Sequence, residues 1–525
     1  MTPTTHLPLG TGFLRHTRTC PDHVALTIGT REYTYAEAAD TALRWASRLT
    51  EATGGRPRRV GVFAHRSEAS YLGVLAALLA GAAFVPLNRR FPVERTRSML
   101  ERAAPDALIV DKASQEQLPE LLRQLPHPPA VLLCEGDREA AGPSTAPVLD
   151  AADLACAVPL AETPAIAPGD LAYLLFTSGS TGTPKGVPVT HANVRAFLTV
   201  AQQRYRLTPH DRLTQAFEQT FDLSVFDLFM AWEHGARVCA MEPIELLAPF
   251  RYLEGHGITT WFSVPSVAAM LRRRGSLTPG RMPTLRWSLF CGEALPAVVA
   301  EAWQAAAPAS VVENLYGPTE LTIACSAYRW DPRSSPGECV HDNLPIGRIH
   351  PGHHALVLDE ALVPVAPGDT GELCVAGPQT TPGYWQAPKT TAERYVVREG
   401  RTYYRTGDLV RFDPEREHYV CLGRNDQQIK VGGHRIEPGE IEAALRRAGC
   451  TEAVCLLWPD AESIAAVVTG VADPAPLADT VAETLPPYMV PKSVSAIEQL
   501  PVNANGKVDR DALHAWLNER TTGPS

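Results

Sequence analysis

The segment LAYLLFTSGSTGTPKG, residues 171–186, runs from a stretch of apolar residues into a loop of small polar ones. The apolar part reads as a buried strand over 171–176. It is followed by Thr177-Ser178-Gly179-Ser180-Thr181-Gly182 and then by Lys185. Glycines let successive backbone N–H groups converge on an anion, hydroxyls add donors, and a lysine supplies charge. The chemistry implied is the cradling of a triphosphate. A flexible Ser/Gly surface loop is the plainer alternative, and a buried strand feeding six small polar residues and one lysine argues against it. Counted from Gly179, Lys185 takes the place of a Walker A lysine. Pro184, however, stands where that motif needs glycine, and Gly186 where it needs Ser or Thr, which disfavours a P-loop motor or kinase.

TSGSTGTPKG resembles the signature of the adenylate-forming superfamily, which holds acyl-CoA synthetases, luciferases and the adenylation domains of nonribosomal peptide synthetases. Further segments match the adenylation-domain subset in the expected order: YTYAEA (33–38), LLAGAAFVPLN (78–88), FDLS (221–224), NLYGPTE (314–320) and GELCVAGPQTTPGYW (371–385). YRTGDL (404–409), GRNDQQIKVGGHRIEPGEIE (423–442), LPPYMVP (485–491) and NGKVDR (505–510) complete the set. The resemblance implies an α/β fold with a large N-terminal domain of α/β layered subdomains, residues 1–424, that holds the ATP and amino-acid sites. A small mobile C-terminal α+β domain, 425–525, carries the catalytic lysine. The implied activity is that of an ATP-dependent, AMP-forming amino acid–[carrier protein] ligase. Such an enzyme forms an aminoacyl-AMP with release of pyrophosphate, then passes the acyl group to a carrier's phosphopantetheine thiol.

Carboxylate attack on the α-phosphate needs a neutralised triphosphate, a held ribose and an in-line carboxylate. By resemblance, Thr177, Ser178, Gly179, Ser180, Thr181, Gly182 and Lys185 hold the phosphates of ATP. Glu320 takes the place of the magnesium ligand, a carboxylate beside phosphate oxygens being a common way to hold Mg2+. Tyr316 is similar to the aromatic that packs on adenine, and Gly292-Glu293-Ala294 to the backbone along its other side. Asn314, Gly317 and Thr319 complete the nucleotide set. Asp408 has the place of the ribose acceptor, with Arg424 next to it in function. Alone, Tyr316 would equally be core packing and Asp408 a turn residue. Lys507 in NGKVDR resembles the lysine that reaches the α-phosphate and the substrate carboxylate. The small domain of the superfamily rotates between two poses, and the pivot matches Asp426. Rotation would replace Lys507 by Val431-Gly432-Gly433-His434, whose glycines let a pantetheine arm pass close to backbone.

FDLSVFD, 221–227, bears on the substrate class. Asp222 occupies by resemblance the position whose carboxylate pairs with an α-ammonium. A buried unpaired Asp is costly, so a cationic partner is the economical explanation. The structural alternative is an N-cap on a helix beginning near Ser224. The rest of the pocket, carried over motif by motif, is Leu223, Phe226, Phe262, Leu289, Cys291, Leu315, Ile323 and Ala324. That wall is apolar and suits a compact uncharged side chain, with proline slightly ahead of alanine and with glycine or serine also open. SLFCGEAL also resembles D-alanine:carrier-protein ligases, and comparable pockets occur in free-standing proline-activating ligases. No segment resembles a carrier domain's attachment site, so the acceptor is expected on a separate carrier protein and the chain is expected to be a free-standing ligase. A CoA ligase for a non-amino carboxylic acid is the alternative, and Asp222 is the feature that separates the two.

These residues need elements to hold them. Apolar spacing predicts helices over 36–49 and 69–80, with strands over 59–64, 84–87 and 107–110; such alternation implies a layered α/β domain. Residues 125–170, rich in Pro and Ala, read as loop with one short strand. After Gly423-Arg424 a compact stretch carries strands at 453–457 and 463–468 and helices at 438–448 and 477–484. The length of 525 residues calls for more than one core. Net charge of −10 argues against a nucleic-acid partner. Neither a secretory leader nor an apolar run long enough for a bilayer is present, so a cytoplasmic enzyme with no membrane partner is expected. The eleven scattered cysteines lack zinc-like spacing and read as reduced thiols.

Overall fold

A computed structural model describes residues 7–123, 125–142, 145–179, 184–458, 463–502 and 508–522. The chain divides into two compact units. One comprises Met1–Arg89, Leu100–Phe176 and Gly186–Asn425; the other gathers Arg90–Met99, Thr177–Lys185 and Asp426–Ser525.

The expected alternation is what the first stretch of chain forms. Helices Tyr35–Ala52 and Glu68–Leu79 alternate with strands Arg59–Phe63, Ala83–Leu87 and Ala107–Val110. Thr34 starts the first helix by a reciprocal cap with Glu37, each side chain accepting from the other's backbone N–H. The second helix is buried on every side, which is why its sequence is apolar all round rather than striped. These strands belong to a seven-stranded sheet among the described residues, parallel wherever the register is recorded.

Residues 125–170 differ from the expected loop. They contain two short strands, Ala130–Leu133 and Val148–Leu149, a 3-10 turn, and the helix Ala151–Ala155. The helix is started by a capping box in which the Asp150 side chain accepts from Asp153 N–H and the Asp153 side chain from Asp150 N–H. Elements of two to five residues are too short to show periodicity against a Pro/Ala background.

A nine-stranded sheet, again counted among the described residues, carries six parallel strands side by side: Val311–Tyr316, Trp287–Phe290, Thr260–Ser263, Arg212–Gln215, Arg237–Ala240 and Val24–Ile28. Being parallel, they end along one edge, and the loops leaving that edge carry most of the candidate site. Among the described residues, a five-stranded antiparallel sheet includes Thr370–Ala376, Arg401–Asp413 and His418–Arg424.

Among the described residues, the second unit holds the hairpin Ile429–Val431/His434–Ile436 and a three-stranded sheet of Glu452–Leu457, Ile464–Thr469 and Ser493–Ala496. The helices Pro438–Arg447, Ala475–Ala482 and Arg510–Thr522 contribute to its apolar clusters. The α/β class is thus realised, with a large N-terminal and a smaller C-terminal body. No helix among the described residues is long and apolar enough to cross a membrane.

Candidate active site

Asp222 stands at the N-cap position of the helix Leu223–Glu233 but makes no capping hydrogen bond. Ser224 takes over that turn, its Oγ donating to the Phe221 carbonyl at 2.6 Å. The Asp222 carboxylate turns instead to the loop after Glu320, where Oδ2 accepts from Ile323 N–H at 2.9 Å. Burial is the largest influence on this group and pushes its pKa up to about 6. The Ile323 amide and Thr319 hydroxyl oppose the shift, and the nearby Glu320 charge adds to it. The carboxylate is therefore held by neutral donors, with a charge that burial makes expensive.

Leu223, Phe226, Phe262, Leu289, Cys291, Leu315, Ile323 and Ala324 are all buried and belong to one apolar cluster. Phe262 and Leu289 are cross-strand partners in the parallel sheet and so share a face. The Phe226 and Phe262 rings meet edge to face with centroids 5.0 Å apart. Phe217, to which the sequence reading gave no part, packs edge-on against Phe262 at 4.9 Å; it follows the end of a strand and lies in none of the motifs.

The nucleotide-type residues follow the strand Val311–Tyr316. Asn314 Nδ2 donates to the Pro345 carbonyl at 2.9 Å, while its buried Oδ1 has no partner among the described residues. A buried orphan acceptor suits an exocyclic amine such as adenine's. Tyr316 Oη donates to Asp408 Oδ2 at 2.5 Å, and Arg424 donates to Asp408 Oδ1, also at 2.5 Å. With both oxygens anchored, that carboxylate keeps lone pairs for two hydroxyls. Gly317 has no room for a side chain, since a Cβ there would lie 2.6 Å from the Ala324 Cα. Gly292 has φ +100°, so Gly292-Glu293-Ala294 bends away from the strand Trp287–Phe290 just after Cys291. Glu293 accepts from Ser266 N–H at 3.0 Å.

Glu320 is buried, and its Oε1 accepts from Tyr384 Oη at 2.6 Å. A hard carboxylate oxygen fits Mg2+ chemistry. Tyr384 is a further residue without an assigned role in the sequence reading, and its place in the motif 371–385 was the available signal. The loop after Glu320 is strained: Thr322 and Ile323 both have positive φ, +56° and +72°. β-branched residues in that region cost about 1–3 kcal/mol each.

Of the phosphate-loop residues, Thr177 ends its strand, Lys185 begins the next, and Ser178 and Gly179 are buried. Within the second unit Gly179 N–H donates to Glu440 at 3.1 Å, and Ser178 Oγ to the Arg435 carbonyl at 2.6 Å. Ser180, Thr181 and Gly182 lie outside the described residues, as does Lys507. Gly432 and Gly433 form the hairpin turn with φ of +55° and +80°, and Val431 and His434 pair across it. His434 stacks on Tyr488 with ring centroids 3.5 Å apart, and burial lowers its pKa to about 3. Asp426 accepts from Gln428 N–H at 3.2 Å.

Residues 13–385 match the family described as AMP-binding enzyme. The chain belongs to that family. Membership places it among ATP-dependent, AMP-forming ligases of the adenylate-forming superfamily. The family member L-proline--[L-prolyl-carrier protein] ligase of Streptomyces coelicolor is 34% identical over 526 residues, 95% of this chain and 94% of that protein. The probable non-canonical nonribosomal peptide synthetase CymA of Salinispora arenicola is 36% identical over 506 residues, 94% of this chain. The chain spans only 6% of that synthetase's length, and likewise 6% of the malpinin synthetase of Mortierella alpina. Among solved structures, the Vibrio cholerae adenylation domain AlmE, in complex with glycyl-adenosine-5'-phosphate, is 30% identical with a TM-score of 0.86, covering 97% of each chain.

Proposed function

We propose that this AMP-binding enzyme activates a compact apolar amino acid, of the proline or alanine class, as its aminoacyl-adenylate. It then passes the acyl group to the phosphopantetheine thiol of a carrier outside these residues. The observation that carries the reading is Asp222: a buried carboxylate held by neutral donors at the edge of an apolar wall. An α-ammonium at that carboxylate completes the pair and offsets the cost of its burial.

The roles are those the sequence motifs imply, and the contacts of Asn314, Tyr316, Asp408 and Glu320 support theirs. Asn314 receives the adenine amine, Tyr316 and the backbone of Gly292-Glu293-Ala294 flank the ring, and the anchored Asp408 takes the ribose hydroxyls. Glu320 holds Mg2+, which when bound neutralises phosphate charge. Lys185 and the loop Thr177–Gly182 hold the triphosphate. Lys507 stabilises the charge that develops as the substrate carboxylate attacks the α-phosphate and pyrophosphate departs. The thiol then attacks the acyl carbon, its proton leaves with solvent, and AMP is released. We assign the C-terminal unit as the mobile domain and Asp426 as its pivot, the hairpin turn Gly432-Gly433 lining the pantetheine path.

The relation to a ligase named for L-proline supports the proline side, and the relation to an adenylation domain solved with glycyl-adenosine-5'-phosphate supports a small side chain. ATP–pyrophosphate exchange across the amino acids tests the reading. Proline or alanine is expected well above Phe, Lys or Glu; leading activity with a large or charged side chain contradicts it.

A further inference from the structure

The strained loop that presents Ile323 N–H to Asp222 is held from behind by one side chain. Gln379 is fully buried in the stretch following the strand Thr370–Ala376. Its Nε2 donates to the carbonyls of Leu321, Thr322 and Ala324 at 3.1, 3.0 and 2.7 Å. Its backbone carbonyl accepts from Thr322 Oγ1 at 2.7 Å. One glutamine therefore grips the loop on both sides of Ile323, through side chain and backbone alike.

A neighbouring histidine meets the oxygen of that amide. His350 Nδ1 lies 3.1 Å from Gln379 Oε1, and burial lowers the imidazole pKa to about 4. The ring is thus neutral at physiological pH; because the amide turns its NH2 to the three loop carbonyls, its Oε1 faces His350, and the tautomer that satisfies it carries the proton on Nδ1. Gln379 N–H in turn donates to His353 Nε2 at 3.2 Å, which fixes the segment as well as the side chain.

Two consecutive β-branched residues at positive φ relax toward ordinary backbone conformations unless their surroundings over-determine them. Relaxation here would swing Ile323 N–H away from Asp222 and carry the side chains of Ile323 and Ala324 out of the pocket wall.

We propose that Gln379, hydrogen-bonded to His350, is a positioning residue for amino-acid recognition. By clamping the loop Leu321–Ala324 it aims the Ile323 amide at Asp222 and so sets where the substrate's α-ammonium must sit. This rests on the reading of Asp222 as the ammonium partner. Gln379 touches neither substrate nor nucleotide in this account and acts through the loop alone.

The test is calorimetric and uses the full chain. The probes are the sulfamoyl-adenosine mimics of prolyl- and alanyl-adenylate, each with its counterpart lacking the α-amino group. Gln379→Met keeps the volume and removes the donors. It is expected to weaken the better-bound aminoacyl mimic by about tenfold. Its des-amino counterpart is expected to change by less than about twofold, a difference under 0.5 kcal/mol. His350→Phe, which keeps a ring beside Phe197, is expected to shift selectivity in the same direction by a smaller factor. Equal weakening of both mimics in the variants, or no weakening, overturns the proposal. If the wild-type chain itself fails to prefer the aminoacyl mimics, the amino-acid reading falls and this inference falls with it.

Discussion

Two buried carboxylates in the larger unit, Asp222 and Asp408, are 6% and 5% exposed, yet their surroundings are opposite. Asp408 is complete: a guanidinium and a phenol hold its two oxygens at 2.5 Å. Asp222 is incomplete, held by a backbone amide and the Thr319 hydroxyl, with apolar side chains around it and its pKa pushed up to about 6. Burial alone therefore does not mark a ligand-binding acid. A carboxylate that already has its cation can be an anchor for hydroxyls, whereas one left without a cation creates a demand that a cationic substrate meets.

Neither acid neutralises the charge that develops at phosphorus, so the largest effect is expected elsewhere. Lys507→Ala should cut adenylate formation by about 10³-fold. The melting temperature should hardly change, and equal losses of activity and stability would make Lys507 structural. Asp222→Asn comes next, because removing one partner of a desolvated charge pair costs about 3–5 kcal/mol, or roughly 10²–10⁴ in the amino acid's KM. The KM for ATP should stay close to that of the wild type.

The same two positions should differ in the sign of their effect on stability without ligand. At pH 7.5, Asp222→Asn removes a buried charge that has no cationic partner among the described residues and should raise the melting temperature by about 1–3 °C. Asp408→Asn leaves Arg424 without its acid and should lower it by a similar, order-of-magnitude amount. Shifts of the same sign at both positions would dissolve the comparison.

A smaller effect is expected from pH. The folded pKa of Asp222, about 6, lies above the unfolded value near 3.9. The folded form then binds more protons between those values, so this group's contribution to stability falls as pH rises through that window. The ionised form is the one that binds an ammonium. The kcat/KM for the amino acid should therefore decline below about pH 6. In Asp222→Asn that acid limb should flatten.

Much of the α/β alternation before residue 110 and the motif order were legible in the sequence, because long apolar helices and Gly-rich loops leave strong local signals. The short elements of 125–170 were not, since two- and four-residue strands show no period. The proposed pocket residues came through resemblance, whereas Phe217 and Gln379 did not: their parts depend on a ring contact across the sheet and on carbonyls 55–58 positions away. The N-cap alternative for Asp222 shows the same limit. Only the observed Ser224 turn reveals that the carboxylate is released from the helix.

The central claim is that an α-ammonium is required at Asp222, and matched substrates test it most directly. Proline should be compared with cyclopentanecarboxylate, and alanine with propionate, in ATP–pyrophosphate exchange by the wild-type chain. At least one amino acid should exceed its des-amino partner by about 10²-fold or more in kcat/KM. Exchange with cyclopentanecarboxylate or propionate equal to that with the amino acid would contradict the account.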